Sequence, residues 1–471
     1  MTLSIAGLLV SAFLLLVGYL LGAPLIIGMF ASLAFGSTAF MTLSGLGGSS
    51  PQIYTLFALG IILAAALRRS VRRDLGVIFT RFPTAWIVVA LTAYAIVSAM
   101  IFPRLFAGQT TAFIPINGVV TELPLSPTSG NITQTAYFAL GALTFIGFSV
   151  LLLREENLRY VRRGYFAFII MNVVLGVIDL AGKVTGAGDI LLPIRTASYS
   201  LLIEVEQGGF WRIAGGFSEA SAFGGASLAC LAFAYVYWRH TRSTFAFALT
   251  VVVLLLVLLS TSSAAYAGLA ILSLAPLTSL TRAAFRNRFR SDDLLLIGLA
   301  AVTIAGILSI YLYNDKLLQP VTELLETTVL NKAQSQSAVE RAYWNEKSLE
   351  AFFDTSGVGI GMGSSRSSSW IVSVLSQLGI IGTFAILALV AVTFRGIGGR
   401  RSTPETLEIF ALASATRAAV AATLLARCIA GSGADPAVFF FLSLATVIAC
   451  RQHVSDTTIS SDAATDAIGS S

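Results

Sequence analysis

A glycine- and serine-rich segment containing one arginine is the part of this sequence best suited to chemistry. Glycines alternate along GVGIGMG at 357–363, and Arg366 follows among serines just before a long apolar stretch. Alternating glycines can leave backbone N–H groups free to turn inward, and the N-terminus of the following helix adds positive potential. Together with a guanidinium, these features predict a binding site for phosphate or diphosphate. We expect its ligands to be Gly361, Gly363, Arg366, Ser368 and Ser369.

A nucleotide-binding loop is the alternative interpretation of these glycines, and the sequence argues against it. The spacing is G-x-G-x-G-x-G, whereas a dinucleotide site needs G-x-G-x-x-G between a strand and a helix. No strand is predicted before the segment, and no βαβ unit surrounds it.

Two further arginines lie upstream of this segment. Arg212 and Glu219 flank a Gly-Gly pair in RIAGGFSE, and Arg341 lies in a polar stretch before the glycines. We expect Arg212, Arg341 and Arg366 to bind the same anion, because an arginine contacts phosphate through two parallel hydrogen bonds. Simpler alternatives remain open. Arg212 would reach the lipid headgroups and Glu219 would cap or hydrate a helix end. Arg341 would be a neighbour of Glu346 on a solvated face.

The stretch that carries Arg341 is predicted to be an amphipathic helix. Ser337-Ala338-Val339-Glu340 has the capping-box pattern, and apolar residues follow at helical spacing until a stop at 354–357. We expect this helix to lie on the helix bundle or on the membrane surface.

Two arginines are expected inside a membrane span. Such arginines are costly and face protein or a water-filled cavity. Arg427 is close in sequence to Asp435, which predicts a structural ion pair, although Arg427 is also among the substrate-binding candidates. Arg417 lies deeper and is expected to contact either phosphate or a neighbouring helix.

The composition excludes an ordinary soluble protein. The 471 residues are 56% hydrophobic and 11% charged, and no charged residue or histidine occurs before Arg68. Apolar runs long enough to cross ~30 Å of hydrocarbon recur along the chain. The sequence therefore predicts an all-α polytopic membrane protein with 12 or 13 transmembrane helices, since only Gly22-Ala23-Pro24 separates the first two spans. The expected spans are 3–22, 24–42, 52–67, 84–102, 134–153, 164–181, 217–237, 244–259, 262–280, 292–313, 369–394, 405–430 and 435–450.

Arginine-rich short loops alternate with these spans and predict the orientation. By the positive-inside rule such loops are cytoplasmic, which places the longer loops 103–133, 182–216 and 314–368 on the outer side. This organisation predicts one membrane domain, 1–450, and a cytoplasmic disordered tail, 451–471. The net charge of +6 is explained by this loop pattern rather than by nucleic-acid binding. The arginine-rich loops are 68–83, 154–163, 238–243, 281–291 and 395–404.

Cysteine and histidine usage gives no sign of a metal site or a disulfide framework. Cys230, Cys428 and Cys450 fall within or at the ends of predicted spans. Both histidines, His240 and His453, fall on the predicted cytoplasmic side. We therefore expect neither a metal nor a cofactor.

Several short motifs, taken in order, resemble the O-antigen polymerase and O-antigen ligase superfamily. They are R-x-x-G-x-F-x-E at 212–219, S-x-x-x-R-x-x-W at 337–344, G-x-G-x-G-S-x-R-x-S-S around 359–369 and S-Q-L-G-I-I-G at 376–382. The long outer loop followed by three spans also resembles that family, and the exopolysaccharide polymerase branch is the most similar. The resemblance covers most of residues 200–390.

The resemblance implies a membrane glycosyltransferase of the GT-C type working at the periplasmic face of the bacterial inner membrane. Such enzymes join glycans carried on undecaprenyl diphosphate and need no metal ion. Arg212, Arg341 and Arg366 would then stabilise the diphosphate leaving group as catalytic residues, with Glu219 as the base that deprotonates the acceptor hydroxyl. The implied partners are lipid-linked glycan donor and acceptor, the lipid bilayer, and chain-length regulator and export proteins.

Three departures from the family pattern bear on the mechanism. The ligase branch has a His-Asn pair where this sequence has Ser368 and Ser369, which favours a polymerase. The family's usual glutamate is Gln377 here, and its frequent proline is Ala220. Ligase-type transfer to another acceptor and a lipid-linked sugar transporter or flippase remain the alternatives. A transporter would be expected to show repeated halves, and the sequence has no internal repeat.

Overall fold

Fourteen α-helices and three two-stranded antiparallel sheets make up the part of the chain described by the computed structural model. The protein is therefore an all-α polytopic membrane protein, as the composition predicts. The described residues are 2–43, 45, 48–116, 119–198, 206–207, 210–286, 289, 293–294, 297–298, 335–398 and 404–469.

The helices and strands are numbered here in chain order. The helices are α1 Ile5–Leu20, α2 Pro24–Ser32, α3 Tyr54–Ala66, α4 Val71–Arg81, α5 Thr84–Leu105, α6 Ser129–Leu152, α7 Glu156–Thr185, α8 Ala220–Thr241, α9 Thr244–Leu259, α10 Ser263–Phe285, α11 Gln336–Asp354, α12 Trp370–Phe394, α13 Pro404–Ala430 and α14 Val438–Gly469. The strands are β1 Thr2–Leu3, β2 Met41–Thr42, β3 Thr111–Ile116, β4 Val119–Pro124, β5 Glu206–Gln207 and β6 Phe210–Trp211. Strands pair as β1–β2, β3–β4 and β5–β6.

Eight of the described helices are long and apolar enough to cross a membrane: α5, α6, α7, α8, α10, α12, α13 and the first part of α14. Helices α1 and α9 are apolar but shorter, with 16 residues each. Helix α3 is followed by the amphipathic α4 at a bend of 104°. Twelve of the thirteen expected spans thus contain helix, although not all at full spanning length, and the expected span 292–313 lies mostly outside the described residues.

The expected span 24–42 is wrong beyond Ser32. Helix α2 has only nine residues, and the chain then turns and reaches the short strand β2. Polar groups explain the early end of the helix. Ser37 donates both its N–H and its hydroxyl to the carbonyl oxygen of Gly216, and Thr196 exchanges hydrogen bonds with the backbone of Ala39. These contacts fix the segment against the loop that precedes α8.

Hydrogen bonds connect the loops at each end of the helix bundle. At one end Arg163 donates to the carbonyl of Leu21 over 2.8 Å, and Arg68 donates to the carbonyl of Val150 over 3.0 Å. At the other end the Asn131 amide donates to the carbonyl of Met362 over 2.8 Å. The arginine-rich end is the predicted cytoplasmic side, and the opposite end is called the outer end below.

Aromatic rings and small residues fill the core of the bundle. Tyr165 stacks on Phe233 with ring centroids 4.2 Å apart and meets Phe30 at 4.5 Å. Its hydroxyl lies 2.8 Å from that of Ser443, so the buried polar atom has a partner. Helices α8 and α13 are rich in alanine, glycine and serine, which allows their backbones to approach closely.

Two regions differ from the sequence-based expectations. The outer loop 103–133 contains the β3–β4 hairpin, which the sequence analysis did not anticipate. The tail after Arg451 was expected to be disordered, and α14 continues through it to Gly469. The start of this extension packs on the bundle, where Val454 is fully buried and Arg451 donates to the carbonyl of Val392.

Candidate functional site

The backbone N–H groups of the glycine segment, residues 357–363, form hydrogen bonds with other residues of the protein. Gly359 donates to the Thr355 hydroxyl over 3.1 Å, Gly361 to the Gln377 carbonyl over 3.0 Å, and Gly363 to the Gln377 side-chain oxygen over 2.8 Å. The prediction that Gly361 and Gly363 offer free N–H groups to a phosphate is therefore wrong.

Close packing explains why these positions are glycine. Gly361 and Gly363 both have positive φ, and a Cβ atom there would lie 2.5 Å from the Ser98 carbonyl oxygen and 2.3 Å from the Gly130 carbonyl oxygen, respectively. Only glycine adopts this conformation without strain and leaves the necessary space. The segment is wedged between α5, the start of α6 and α12.

Helix α12 is interrupted where the glycine segment meets it. Gly379 has non-helical dihedral angles, φ 62° and ψ −162°. The carbonyl of Ser376 accepts from the N–H of Ile360 at 2.8 Å, and the N–H of Ile380 donates to Gly357 at 2.9 Å. Backbone groups freed by the interruption are thus paired with the glycine segment, as a break in a membrane helix requires.

The packed glycine segment and the residues that follow it fix the position of Arg366. The N–H of Arg366 donates to the carbonyl of Phe113 on strand β3 over 2.9 Å, and Phe113 in turn donates to the Ser365 hydroxyl over 3.0 Å. The Gln377 amide donates to the Ser365 carbonyl over 2.7 Å. Arg366 is therefore anchored by its backbone to the hairpin and to α12, while its side chain remains exposed.

Helix α11 carries Arg341 to the same place. The helix begins at Gln336, one residue before the predicted capping box, with Ser335 rather than Ser337 as the N-cap residue, and ends at Asp354 as predicted. The side-chain oxygen of Asn345 accepts the N–H of Ser368 at 2.9 Å. This contact turns the Arg341 side of α11 towards the segment that carries Arg366, because Arg341 and Asn345 lie one helical turn apart.

A buried ion network holds the backbone around Arg212. The carboxylate of Asp179 on α7 accepts the N–H groups of Ala214 at 2.8 Å and Gly215 at 3.1 Å, and contacts the ammonium group of Lys183 at 3.0 Å. Lys183 also donates to the carbonyl of Arg212 over 2.7 Å.

Arg195 completes this network from the outer loop. Its fully buried guanidinium contacts Asp179 at 3.1 Å and Asp189 at 2.5 Å, and it donates to the carbonyl of Gly215 over 2.6 Å. Two cations and two carboxylates compensate one another here, so the burial of four charged groups is tolerated. The network contacts the backbone of Arg212 and does not involve its guanidinium group.

Arg341 and Glu219 each act electrostatically on both Arg212 and Arg366. Burial lowers the pKa of Arg212 below its ordinary value, Glu219 opposes this effect, and Arg341 adds to it. The pKa of Arg366 is lowered by the same causes in the same order. Arg366 is exposed, and surrounding protein still desolvates its guanidinium. The structure thus brings together the predicted residues Arg212, Arg341, Arg366 and Glu219.

None of these guanidinium groups has a protein acceptor within the described residues. No hydrogen bond or ion pair there links the side chains of Arg212, Arg341 or Arg366 to a carboxylate or carbonyl group, and the Nε atom of Arg212 is buried without a partner. We call Arg212, Arg341 and Arg366 the arginine cluster. Three adjacent cations without bound acceptors make a strong site for an anion with several oxygen atoms.

Glu219 lies at the edge of the arginine cluster. It precedes the first residue of α8 in extended conformation and accepts a hydrogen bond from the Ser221 hydroxyl at 2.5 Å. Its carboxylate is half-buried and within electrostatic range of Arg212 and Arg366. Such a carboxylate can accept a proton from a hydroxyl group bound beside the arginines.

The predicted ligands Ser368 and Ser369 have different surroundings. The Ser368 side chain is buried to 7% exposure, and its hydroxyl has no hydrogen-bond partner among the residues described. Ser369 is the N-cap residue of α12, and its carbonyl accepts the Ser367 hydroxyl at 3.0 Å. Ser368 is therefore the better placed of the two to contact a ligand beside Arg366.

Arg427 and Arg417 serve structural contacts. Arg427 donates to the backbone carbonyl of Asp435 and so holds the turn between α13 and α14. The predicted Arg427–Asp435 association thus involves the backbone, and no coupling connects Arg427 with the arginine cluster in the described part of the chain. Arg417 donates over 3.3 Å to the carbonyl of Arg395, the residue that directly follows the neighbouring α12. Arg417 was predicted to contact either phosphate or a neighbouring helix, and the structure shows the contact at the neighbouring helix.

Sequence reasoning missed the groups that position the site. Asp179 and Lys183 lie one helical turn apart at the outer end of α7, and this charged pair in an apolar helix is a signal that could have been used. Asn117-Gly118 between two alternating apolar stretches is likewise a hairpin signal. Among the described residues, no cluster of three or more histidine, cysteine, aspartate or glutamate side chains could hold a metal ion.

Comparisons with known proteins do not identify this chain. No protein-family model matches the sequence. A search of curated proteins found no significant match.

Proposed function

We propose that this protein is a membrane glycosyltransferase that polymerises undecaprenyl-diphosphate-linked repeat units into an exopolysaccharide or O-antigen chain. The reaction would take place at the periplasmic face of the bacterial inner membrane. One observation carries the proposal: Arg212, Arg341 and Arg366 come from separate segments, converge at the outer end and have no protein acceptors among the described residues. The order of motifs that resembles the O-antigen polymerase and ligase superfamily supports the same activity.

The chemistry assigns a role to each charged group. An acceptor hydroxyl oxygen attacks the anomeric carbon of the donor sugar, and the bond from that carbon to the diphosphate oxygen breaks. The undecaprenyl diphosphate leaves with the electron pair of the broken bond, and the arginine cluster stabilises its developing charge. Glu219 accepts the proton of the attacking hydroxyl. A new glycosidic bond and free undecaprenyl diphosphate are the products.

Like charges held together need a compensating anion. Glu219 supplies one negative charge against three guanidinium groups, so the cluster carries an excess of about two positive charges when the anion is absent. A diphosphate ester carries a charge of opposite sign and enough oxygen atoms for two-point contacts with each arginine. Headgroup anchoring alone would not require arginines from two loops to converge.

The alternatives receive less support. The ligase branch of the resembled family places histidine where this chain has Ser368, and a serine hydroxyl is a far weaker base than imidazole. A transporter would use carbonyl groups at a helix break to bind its substrate or ion. In α12 the glycine segment already donates to the Ser376 and Gln377 carbonyls.

A reconstituted reaction tests the proposal. Purified protein in lipid nanodiscs would be given lipid-linked repeat units, and products would be separated by size. A ladder of polymers and release of undecaprenyl diphosphate are expected, and both should persist in excess chelator. A single transfer to a different acceptor would indicate a ligase. Movement of intact lipid-linked sugar between leaflets without new glycosidic bonds would indicate a flippase, and either result would overturn the proposal.

A further inference from the structure

One side of helix α11 carries an aromatic and an amide side chain beside Arg341. Arg341, Trp344 and Asn345 are separated by three and four residues, so their side chains lie on one side of the helix. The Asn345 side chain contacts the backbone of Ser368 at 2.9 Å, which turns this side towards the segment that carries Arg366. Trp344 is therefore adjacent to the proposed diphosphate site.

Packing leaves part of the Trp344 ring uncovered. The ring meets Phe113 with centroids 6.2 Å apart and an interplanar angle of 45°. Phe113 itself is buried, and its carbonyl oxygen accepts the N–H of Arg366. Trp344 rests on this rigid support but stays only half-buried. Its indole N–H has no partner among the residues that the structure describes.

Two neutral polar groups near this ring have no hydrogen-bond partner among the described residues. The Asn345 side chain uses its oxygen to bind Ser368, while its NH₂ group has no acceptor in the described regions. The Ser368 hydroxyl also lacks a partner there, although the residue is only 7% exposed. An aromatic face with an amide donor and a hydroxyl is suited to a sugar ring, whose C–H groups pack on the indole while its hydroxyls form hydrogen bonds.

We propose that Trp344, Asn345 and Ser368 form a subsite for the sugar residue attached directly to the diphosphate. This inference rests on the proposed function, because the arginine cluster must first hold the diphosphate. A sugar linked to that diphosphate lies beside it, where α11 offers an uncharged surface immediately after Arg341. The subsite holds the donor glycan next to Glu219 and selects glycosylated lipid over undecaprenyl diphosphate alone.

Binding measurements on two lipids separate this subsite from the diphosphate site. The probes are undecaprenyl diphosphate and the lipid-linked oligosaccharide fraction extracted from the native host after deletion of this gene. Affinities would be measured in nanodiscs for the native protein and for Trp344→Ala, Trp344→Phe and Arg366→Ala. Trp86→Ala is the matched control, because Trp86 is an exposed tryptophan at the arginine-rich end, 61% exposed.

Loss of the indole should affect only the glycosylated lipid. Trp344→Ala is expected to weaken its binding about tenfold, a loss typical of one aromatic contact, and to leave the affinity for undecaprenyl diphosphate unchanged. Trp344→Phe should retain most of the affinity, which also guards against a folding defect in the alanine variant. Arg366→Ala should weaken binding of both lipids, and Trp86→Ala should weaken neither.

Other outcomes overturn the proposal in distinguishable ways. If Trp344→Ala weakens both lipids equally or neither of them, Trp344 is an interfacial anchor and the sugar subsite is wrong. If native protein binds neither lipid, or if Arg366→Ala binds undecaprenyl diphosphate normally, the diphosphate site itself is wrong. The proposed function then fails together with the subsite.

Discussion

Lys183 holds the backbone of Arg212 through a hydrogen bond of 2.7 Å from its ammonium group to the arginine's carbonyl oxygen. The same ammonium group contacts Asp179 at 3.0 Å, and Asp179 fixes the next residues of the loop through backbone N–H groups. The position of Arg212 is thus set from α7, independently of any ligand. A preorganised guanidinium loses less entropy when it binds an anion and stabilises developing charge more effectively.

Lys183→Met should reduce both polymerisation and stability. Methionine fills most of the space of the lysine side chain and Asp179 keeps Arg195 as its partner, so the protein should still fold. One of the two cations that compensate the buried carboxylates is lost, so the thermal midpoint should also fall. Loss of the contact to the Arg212 carbonyl should slow polymer formation about tenfold, which corresponds to roughly 1.4 kcal/mol in the activation free energy. Steady-state rates and the thermal midpoint would be measured for both proteins.

Lys347→Met provides the matched control for that substitution. Lys347 pairs with Glu350 at 2.6 Å on the surface of α11, and surface ion pairs contribute little to stability. Its replacement should change neither rate nor thermal midpoint. If Lys183→Met also leaves the rate unchanged, the network does not position Arg212 for function.

Gly363→Ala should destabilise the protein and abolish activity. The residue has φ +77°, and its Cβ would lie 2.3 Å from the carbonyl oxygen of Gly130. The backbone must shift, and Arg366 three residues later would move with it. Gly186→Ala is the control because Gly186 has a similar φ of +70° with no atom within 4 Å of the added Cβ.

Thermal unfolding in detergent distinguishes these two glycines. The control should lose only about 1 kcal/mol from backbone strain and keep its activity. Gly363→Ala should show a clearly lower midpoint and no polymer. Equal effects of the two substitutions would mean that close packing of the glycine segment is unimportant.

Accessibility of single cysteines should report the orientation. Gln109 and Glu155 are both exposed and lie at opposite ends of the bundle. Cysteine at Gln109 should react with a membrane-impermeant thiol reagent in spheroplasts, whereas cysteine at Glu155 should react only after lysis. The native cysteines would first be replaced by alanine. Labelling of Glu155→Cys alone in intact spheroplasts would reverse the orientation.

Much of the fold could be predicted because the membrane imposes it. Apolar runs mark helices wherever backbone polar groups must pair internally, and all long helices found here lie within or across expected spans. The failures have local causes. The span 24–42 ends early because Ser37 and Thr196 pair with loop backbones, which hydropathy does not register.

The sequence identified the charged side chains of the site but not the role of its backbone groups. Arg212, Arg341, Arg366 and Glu219 were identifiable because charged residues in outer loops beside apolar helices are conspicuous. The role of the glycines depended on tertiary contacts. The glycine amides donate to Phe352, Thr355 and Gln377, and these residues form no recognisable motif with the glycines. The role of Arg195 likewise depends on tertiary contacts, whereas Asp179 and Lys183 left a usable signal as a charged pair in an apolar helix.

The central claim is that the arginine cluster binds and stabilises the diphosphate, and its most direct test is polymer formation by purified variants. Arg212→Ala, Arg341→Ala and Arg366→Ala should each slow the reaction about a hundredfold, or ~3 kcal/mol, and lysine should restore little because it cannot make the two-point contact. Arg104→Ala, an exposed arginine at the same end, should react normally. Normal rates in all three cluster variants would contradict the account and leave these arginines as interfacial anchors.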